Sequence, residues 1–478
     1  MLQAVAPLPV QIYAGPLAQG APTRALASFA AGLRFEDIPG PVVERAKELL
    51  LDYLSTVAAV AKEDPAQRLI RFASKMGGPA ESRILGAGVS VAAPWAALVN
   101  GTMGHMMELD DTDRKTMAHA GDSLWASALA VGERQNASGA EILAAAIAGY
   151  EVSLRIGESV MPDHYRRGWH PSGTFMPFGA AVAAGRLLGL DAQAMGWALG
   201  NAGAQASGNF AHLGERAMTK DFNCGHAAKC GVIAALLAAE GFTGPTDVVE
   251  NRRGFMALYG VNVHPERLTA GLGAHWRVMD VSQKAYSGCR YIHPSLDIVT
   301  ALQKEVGFRP EDVKRVVCRL LSTGAGLVND PVPWDGSKGL QGTRFSLHFN
   351  IAVALQMGRE GLWSLLDERH PLQYRDRPEI RAMMARIEVI PDAELDKNFP
   401  DKWSTALTLE LSDGRSFTRE ADYPTGEPEN PMAREDLLRK FDILTEMAGW
   451  SRDKASGLPP EVARLDRASD LSGLLTFL

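Results

Sequence analysis

Between residues 174 and 209 the chain reads as helix after helix built from alanine and glycine, as in "FGAAVAAGRLLGL" and "ALGNAGAQASG". Segments of this kind carry small or apolar side chains on every side. They have no polar face to turn to water, so they must be buried among other helices. The pattern predicts helices over roughly 93–107, 123–135, 139–159, 174–189, 192–209, 223–241 and 245–260. Another begins at Pro41, whose ring suits a first helical turn, with Val43, Ala46, Leu50, Tyr53, Leu54 and Val57 at helical spacing. A transmembrane bundle shares this texture. The Arg, Asp and His residues between the helices argue against it, and so does the lack of a charge-free apolar run long enough to span a bilayer.

The texture changes near residue 265. "HWRVMDVSQKAY", "VKRVVCRLL" and "ARIEVIPD" have the β-branched content and alternation of strands. "STALTLELSDGRSFTREAD" adds Asp413-Gly414 between two alternating runs, a hairpin signal. Helical pattern returns at 293–306, 343–358, 431–449 and 459–476. The fold class expected is therefore mainly α with α+β: a large all-helical domain plus a smaller α+β lid domain. The divisions are an extended N-terminal arm (1–22), the all-helical domain (23–265), the lid (266–400) and a C-terminal segment (401–478) of hairpin and helices packing back on the helical domain.

Composition excludes some partners. A net charge of −7 carries no polycation signature, so nucleic acid is not an expected partner. An anionic substrate has to be held by local Arg, Lys or His against that field. Cys224, Cys230, Cys289 and Cys318 form no CxxC and no common zinc spacing, and read as buried thiols of a reducing compartment. With no basic, secretory-type start, the expected location is cytoplasmic.

Four carboxylates crowd into positions 108–113 of "HMMELDDTDRKTMAHAGD", with His105 and His119 flanking them. The stretch lacks the acid–x–acid–x–acid–Gly order of a calcium loop and the HExxH order of a zinc helix, so no metal is expected. Helix capping or a solvated face is the plain alternative for any one of these acids. Basic residues stand at other helix entrances: His170 in "RRGWHPSGTF", Lys220 in "RAMTKDFNCGHAAKCG", and Arg290 and His293 in "AYSGCRYIHPS". Helix starts leave N–H groups free for an anion, and four such basic residues in three motifs point to one shared anion site.

These residues carry a resemblance. "NGTMGHMMELDDTDRKTMAHAGD", "GYEVSLRIGE", "GWHPSGTFMPFGAAVAAGRLLGLD", "GNAGAQASG", "TKDFNCGHAAKCGVIAALLAAEGFTGP", "YIHPSLD", "TRFSLHFNIAVAL" and "YPTGEPENP" resemble, in order, the blocks of the MmgE/PrpD family. The family includes 2-methylcitrate dehydratase, cis-aconitate decarboxylase and iminodisuccinate epimerase. The resemblance implies a small di- or tricarboxylate substrate, no metal or organic cofactor, and a homodimer of two-domain subunits.

By the same resemblance the active-site positions are Glu108, Thr112, His119, His170, Lys220 and His293. His170 and Lys220 are the expected proton-handling pair, with Lys220 serving as base if burial lowers its pKa. His119 and His293 would position or protonate the substrate, Arg290 would clamp a carboxylate, and Thr112 would hydrogen-bond it. Asp110 and Asp111 are expected to orient His or Lys side chains. Three positions depart from the family pattern: Glu108 where many relatives carry Asp, Asn223 where a His is usual, and Phe349 where some carry Tyr. The expected activity is a lyase of hydro-lyase type, with an epimerase or a decarboxylase as alternatives. A non-catalytic helical binding protein is the alternative from another class.

Overall fold

The computed structural model describes residues 20–215, 217–332, 339–366 and 373–478. Residues 1–19 of the expected N-terminal arm lie outside them. The small-residue segments do form a bundle. Helices Ala93–His105, Ala120–Gln135, Gly139–Glu158, Met176–Leu187, Ala192–Gly203 and Thr219–Ala239 pack on one another. Their Ala, Val, Leu and Met side chains make one continuous core. Helix Gly139–Glu158 starts on a capping box, in which Ser138 and Glu141 exchange side-chain and backbone hydrogen bonds.

Glycine sets the closest approach. Helix Ala93–His105 crosses helix Thr219–Ala239 at Gly101 and Gly225, where a Cβ on Gly101 would lie 2.9 Å from the Gly225 Cα. A Cβ on Gly225 would run into the Leu98 carbonyl oxygen and the Thr102 hydroxyl. Helix Thr219–Ala239 is long and apolar enough to cross a membrane, the one such helix among the described residues. Here it is a core helix, packed against four neighbours of the bundle.

The expected 459–476 helix is divided among the end of helix Arg452–Ala463, a 3-10 turn at Leu465–Arg467 and the short helix Ser472–Leu475, and two expected helices of the bundle are shorter than the pattern suggests. The 192–209 segment leaves the helix after Gly203, because Ser207 N–H bonds to the Gly173 carbonyl and the Gly208 carbonyl accepts from His170 N–H. Of 245–260, only Phe255–Tyr259 is helical. Asn251, Asp247 and Gly254 close turns ahead of it.

The smaller layer is a four-stranded sheet in the order Ile387–Pro391, Val313–Leu320, Thr405–Leu411, Ser416–Ala421. The first two strands run parallel and the rest antiparallel, with Cys318 opposite both Val389 and Leu407. Val313, Val316, Cys318 and Leu320 alternate inward, under helices His293–Val306 and Leu347–Ser364. The division drawn at 400/401 is corrected by this pairing. The 405–421 hairpin belongs to the lid sheet, and the chain returns to the helical bundle with helix Arg434–Met447, which lies on helix Gly40–Val60. "HWRVMDVSQKAY" is also not a long strand. It holds a 3-10 turn, Arg277–Asp280, and a two-residue strand, Val281–Ser282, which pairs with Thr112–Asp113 of the acidic stretch. That ribbon staples the acidic stretch to the root of the lid.

Gly225→Ala tests the crossing. Helix propensity alone favours alanine by up to about 1 kcal/mol, but the added methyl must push apart two packed backbones, a strain of about 1–3 kcal/mol. The expected outcome is a net loss of stability, read as a lower urea midpoint at unchanged m-value.

Candidate functional site

The glycine crossing brings the end of helix Ala93–His105 to the start of helix Thr219–Ala239. His105 is the last residue of the first helix, and Lys220 sits in the first turn of the second. The Lys220 ammonium contacts both His105 Nε2 and Glu108 Oε1. Glu108 reaches that position through a left-handed backbone, φ 51°, a sparsely populated conformation for a residue with a Cβ. Its carbonyl is held by the N–H of Gly288 at 3.1 Å.

A cavity opens here. Glu108, Thr112, His119, His170, Lys220, Lys284 and Arg290 line it, together with Tyr165, Phe210, Tyr291, Leu327, Phe345 and Trp403. Six of the nine residues given a role from the sequence therefore face one space. Asp110, Asp111 and His293 do not. Asp111 lies behind the wall, where its carboxyl accepts from the Tyr150 hydroxyl at 2.6 Å and from Gly121 N–H at 2.8 Å. His293 is fully buried and accepts from the Arg290 guanidinium at Nδ1, 3.0 Å away. Burial, then Arg290 and Lys284, push its pKa well below the ordinary value, so it is a neutral support for Arg290. The Arg290 guanidinium is itself engaged by Glu427 Oε1, at 2.9 and 3.1 Å, and by the Thr425 carbonyl. It cannot offer a free bidentate fork, which corrects the expected clamp.

One carboxylate organises the imidazoles. Asp110 Oδ2 lies 2.9 Å from His105 Nδ1 and 2.6 Å from His119 Nδ1. Both rings therefore donate Nδ1–H to the same oxygen, and both leave Nε2 as an acceptor. For His105 that lone pair meets Lys220, and for His119 it is left for the cavity. Burial opposes the charged form of Asp110, but His105, His119 and Lys284 outweigh it and hold the carboxylate well below its usual range. Asp122, 3.3 Å from His105 Nδ1, goes the other way. Burial and Asp110 raise its pKa well above the ordinary value and keep it neutral.

Protonation states follow. Burial, with His105 and Lys284, lowers His119 to about 3 against the pull of Asp110, so it is neutral at pH 7. His170 is pushed well below its ordinary value by burial and by Lys220, His212 and His105. Its Nδ1 accepts from the Asn223 amide at 2.8 Å, which places its proton on Nε2. Burial disfavours the Lys220 ammonium, yet Glu108 and Asp221 outweigh it and the net displacement is upward. Lys220 is thus an acid and a cation at neutral pH, not the base expected from burial alone. Burial and Lys220 oppose a charge on His105, while Asp110 and Glu108 raise it, to about 10. Since the two nitrogens touch, one proton lies between them and the pair titrates as a unit. Lys220, which also donates to Glu108, keeps that proton.

Sequence reasoning missed two participants. His105 was visible in the acidic stretch, and Asp110 was expected to orient His or Lys side chains, but the pairing of both with His119 depends on the turn at Glu108. Lys284 is a single lysine in "VSQKAYSG" and is fully buried in the cavity wall. Its ammonium stands 3.5 Å from Glu108 and 3.7 Å from Asp110 and makes no hydrogen bond among the described residues.

Two family models divide the chain, an MmgE/PrpD N-terminal domain over residues 24–267 and an MmgE/PrpD C-terminal domain over 286–455. The chain belongs to the MmgE/PrpD family. Relatives include cis-aconitate decarboxylases from Aspergillus terreus, 28% identical with 95% of each chain covered, and from Homo sapiens, 27% identical with 95% of this chain and 94% of the relative covered. A cis-aconitate decarboxylase-like protein of Aspergillus oryzae is 24% identical over 96% of this chain and 98% of its own length.

Each departure from the family pattern has a place in the structure. Asn223 fixes the His170 tautomer, and Glu108 carries the Lys220 contact. Phe349 is buried away from the cavity, and the phenyl ring of this segment that lines it is Phe345, whose centre is 5.8 Å from the Lys220 ammonium. His105, Glu108 and His119 bring ligand-type atoms within 4.8 Å of one another. In this MmgE/PrpD protein, however, the Lys220 ammonium touches two of those three and takes the place of a cation.

Asp110→Asn removes the shared acceptor charge. In 15N-histidine-labelled protein, the NMR signals of two Nδ1–H imidazoles are expected to change together, while Asp122→Asn leaves the His119 signal in place. A second test concerns stability. Burial raises Asp111 to about 7 against the Tyr150 and Gly121 hydrogen bonds. A folded-state pKa above the unfolded one means that the folded chain binds the extra proton. The stabilisation is complete below about pH 4 and is lost as pH rises toward 7. Asp111→Asn is expected to flatten the urea-derived stability between pH 4 and 7.

Proposed function

We propose that this MmgE/PrpD protein is a lyase that moves a proton beside a carboxylate of a small di- or tricarboxylic acid, working as a hydro-lyase. The observation that carries the reading is the meeting, at one cavity, of a neutral imidazole with a free Nε2 (His119), a lysine held protonated (Lys220) and a buried cation with unused donors (Lys284). His119 Nε2 takes the proton from the carbon next to a carboxylate, and that C–H pair becomes the alkene. The C–O bond breaks on the neighbouring carbon, and Lys220 gives its proton to the departing hydroxyl, which leaves as water. Lys284 binds the carboxylate on which charge develops, and His170 Nε2–H donates a second hydrogen bond. These steps use the protein's own acids and bases, and EDTA treatment is expected to leave turnover unchanged.

A second reading is favoured by the relatives named as cis-aconitate decarboxylases. In that reaction the C–C bond to one carboxylate breaks and CO₂ departs. The electron pair shifts the alkene, and Lys220 supplies the proton to carbon. The homodimer implied by the resemblance and the cytoplasmic location expected from the sequence belong to the same proposal.

Proton NMR in D₂O with 2-methylcitrate, citrate and cis-aconitate tests both. A new alkene formed from a hydroxy acid, or the reverse hydration, supports the hydro-lyase. A decarboxylated product supports the second reading. Deuterium exchange with no net product would replace the lyase by an epimerase, and silence across the panel would overturn an enzyme of this class. His119→Gln and Lys220→Met are each expected to lower kcat by about 10²–10⁴-fold. Lys284→Met is expected to lower kcat/KM by about 10²-fold, the scale for loss of one charge-stabilising donor. Because His119 is displaced downward and Lys220 upward, the pH–rate profile is expected to be flat through neutrality.

A further inference from the structure

The groups that handle charge and protons account for only part of the cavity wall. The remainder is aromatic and apolar, and it is continuous. From His170 the ring of Phe210 is 5.3 Å away, and Tyr165 follows at 4.9 Å from Phe210. The Tyr165 and Tyr291 side chains face each other. Tyr291 then stacks on Trp403 at 4.4 Å and 11°. Leu327 and Phe345 complete this wall. The run thus starts beside the proton-handling groups of the helical bundle and ends in the lid.

Such a wall is a poor place for a carboxylate arm. Aromatic faces carry partial negative charge and repel anions, and an unpaired carboxylate loses its hydration there without gaining donors. An alkyl or aryl arm gains from the same surroundings, about fourfold in affinity for each buried methylene. We propose that the cavity contains an aromatic subsite, and that the natural acid bears an apolar substituent larger than methyl, seated between Phe210 and Trp403. The Trp403 indole nitrogen is buried without a hydrogen-bond partner among the described residues. The substituent therefore has room for one acceptor atom at its far end.

The carboxylate end of this ligand rests on the function proposed above, so the test separates the two. Calorimetry on the full chain compares succinate with benzylsuccinate. The subsite is expected to make benzylsuccinate bind about thirtyfold tighter, the gain from burying a phenyl-sized group. Leu327→Asn, on the short helix Ser322–Val328, is expected to cut that ratio to less than a third of its value. Phe210→Ser repeats the test from another segment should the first variant fail to fold. Equal affinities for the two dianions would overturn the subsite and leave the carboxylate reading standing. If neither dianion binds, that reading fails, and 3-phenylpropanol decides the subsite alone: saturable binding weakened by Leu327→Asn supports it, and no binding overturns it.

Discussion

The close crossing of helices Ala93–His105 and Thr219–Ala239 is the constraint on which the site depends. Lys220 reaches His105 and Glu108 only because Gly101 and Gly225 let the two backbones touch. A side chain at either glycine would open the helices by more than a hydrogen bond tolerates. The lysine would then lose the anion that keeps it protonated. Packing and protonation are thus one arrangement: the residues that look least chemical, two glycines in apolar helices, set the charge state of the residue that looks most chemical.

The buried charges at the cavity are balanced by opposite ones. Asp110 and Glu108 are negative, and Lys220 and Lys284 are positive. Asp122, His119 and His170 are neutral. Burial is tolerated because each ion faces an opposite one. An arriving dianion upsets that balance, and Lys284, with donors unused, is the group best placed to absorb it. Arg290 cannot, since Glu427 has already taken its charge.

Much of the fold was legible in the sequence, since a helix with small residues on all sides has to be enclosed by its neighbours. The sheet was legible from alternation, with Val313, Val316, Cys318 and Leu320 turned inward. Its extent was not, because strand order depends on pairings between residues nearly a hundred positions apart, such as Val313 with Leu411. In the site, the histidines and the lysine stood out as polar interruptions of apolar text. The direction of the Lys220 displacement did not, because burial and Glu108 oppose each other and only distance decides. The Arg290 clamp failed for the same kind of reason: the partner that neutralises it lies 137 positions away.

Lys440, on helix Arg434–Met447, is fully buried. Its ammonium pairs with Asp52 at 2.6 Å and donates to the carbonyls of Leu109 and Lys284. Those two carbonyls belong to the residues flanking Asp110 and carrying the cavity cation, so one lysine fastens both halves of the site from behind. A chain growing on the ribosome makes every acid and base of the proton-handling corner more than a hundred residues before it makes Lys440. The corner stays unfastened, and its carbonyls stay wet, until that late helix has emerged and docked. Assembly of the site is therefore a closing event of synthesis, although nearly all its parts are made early.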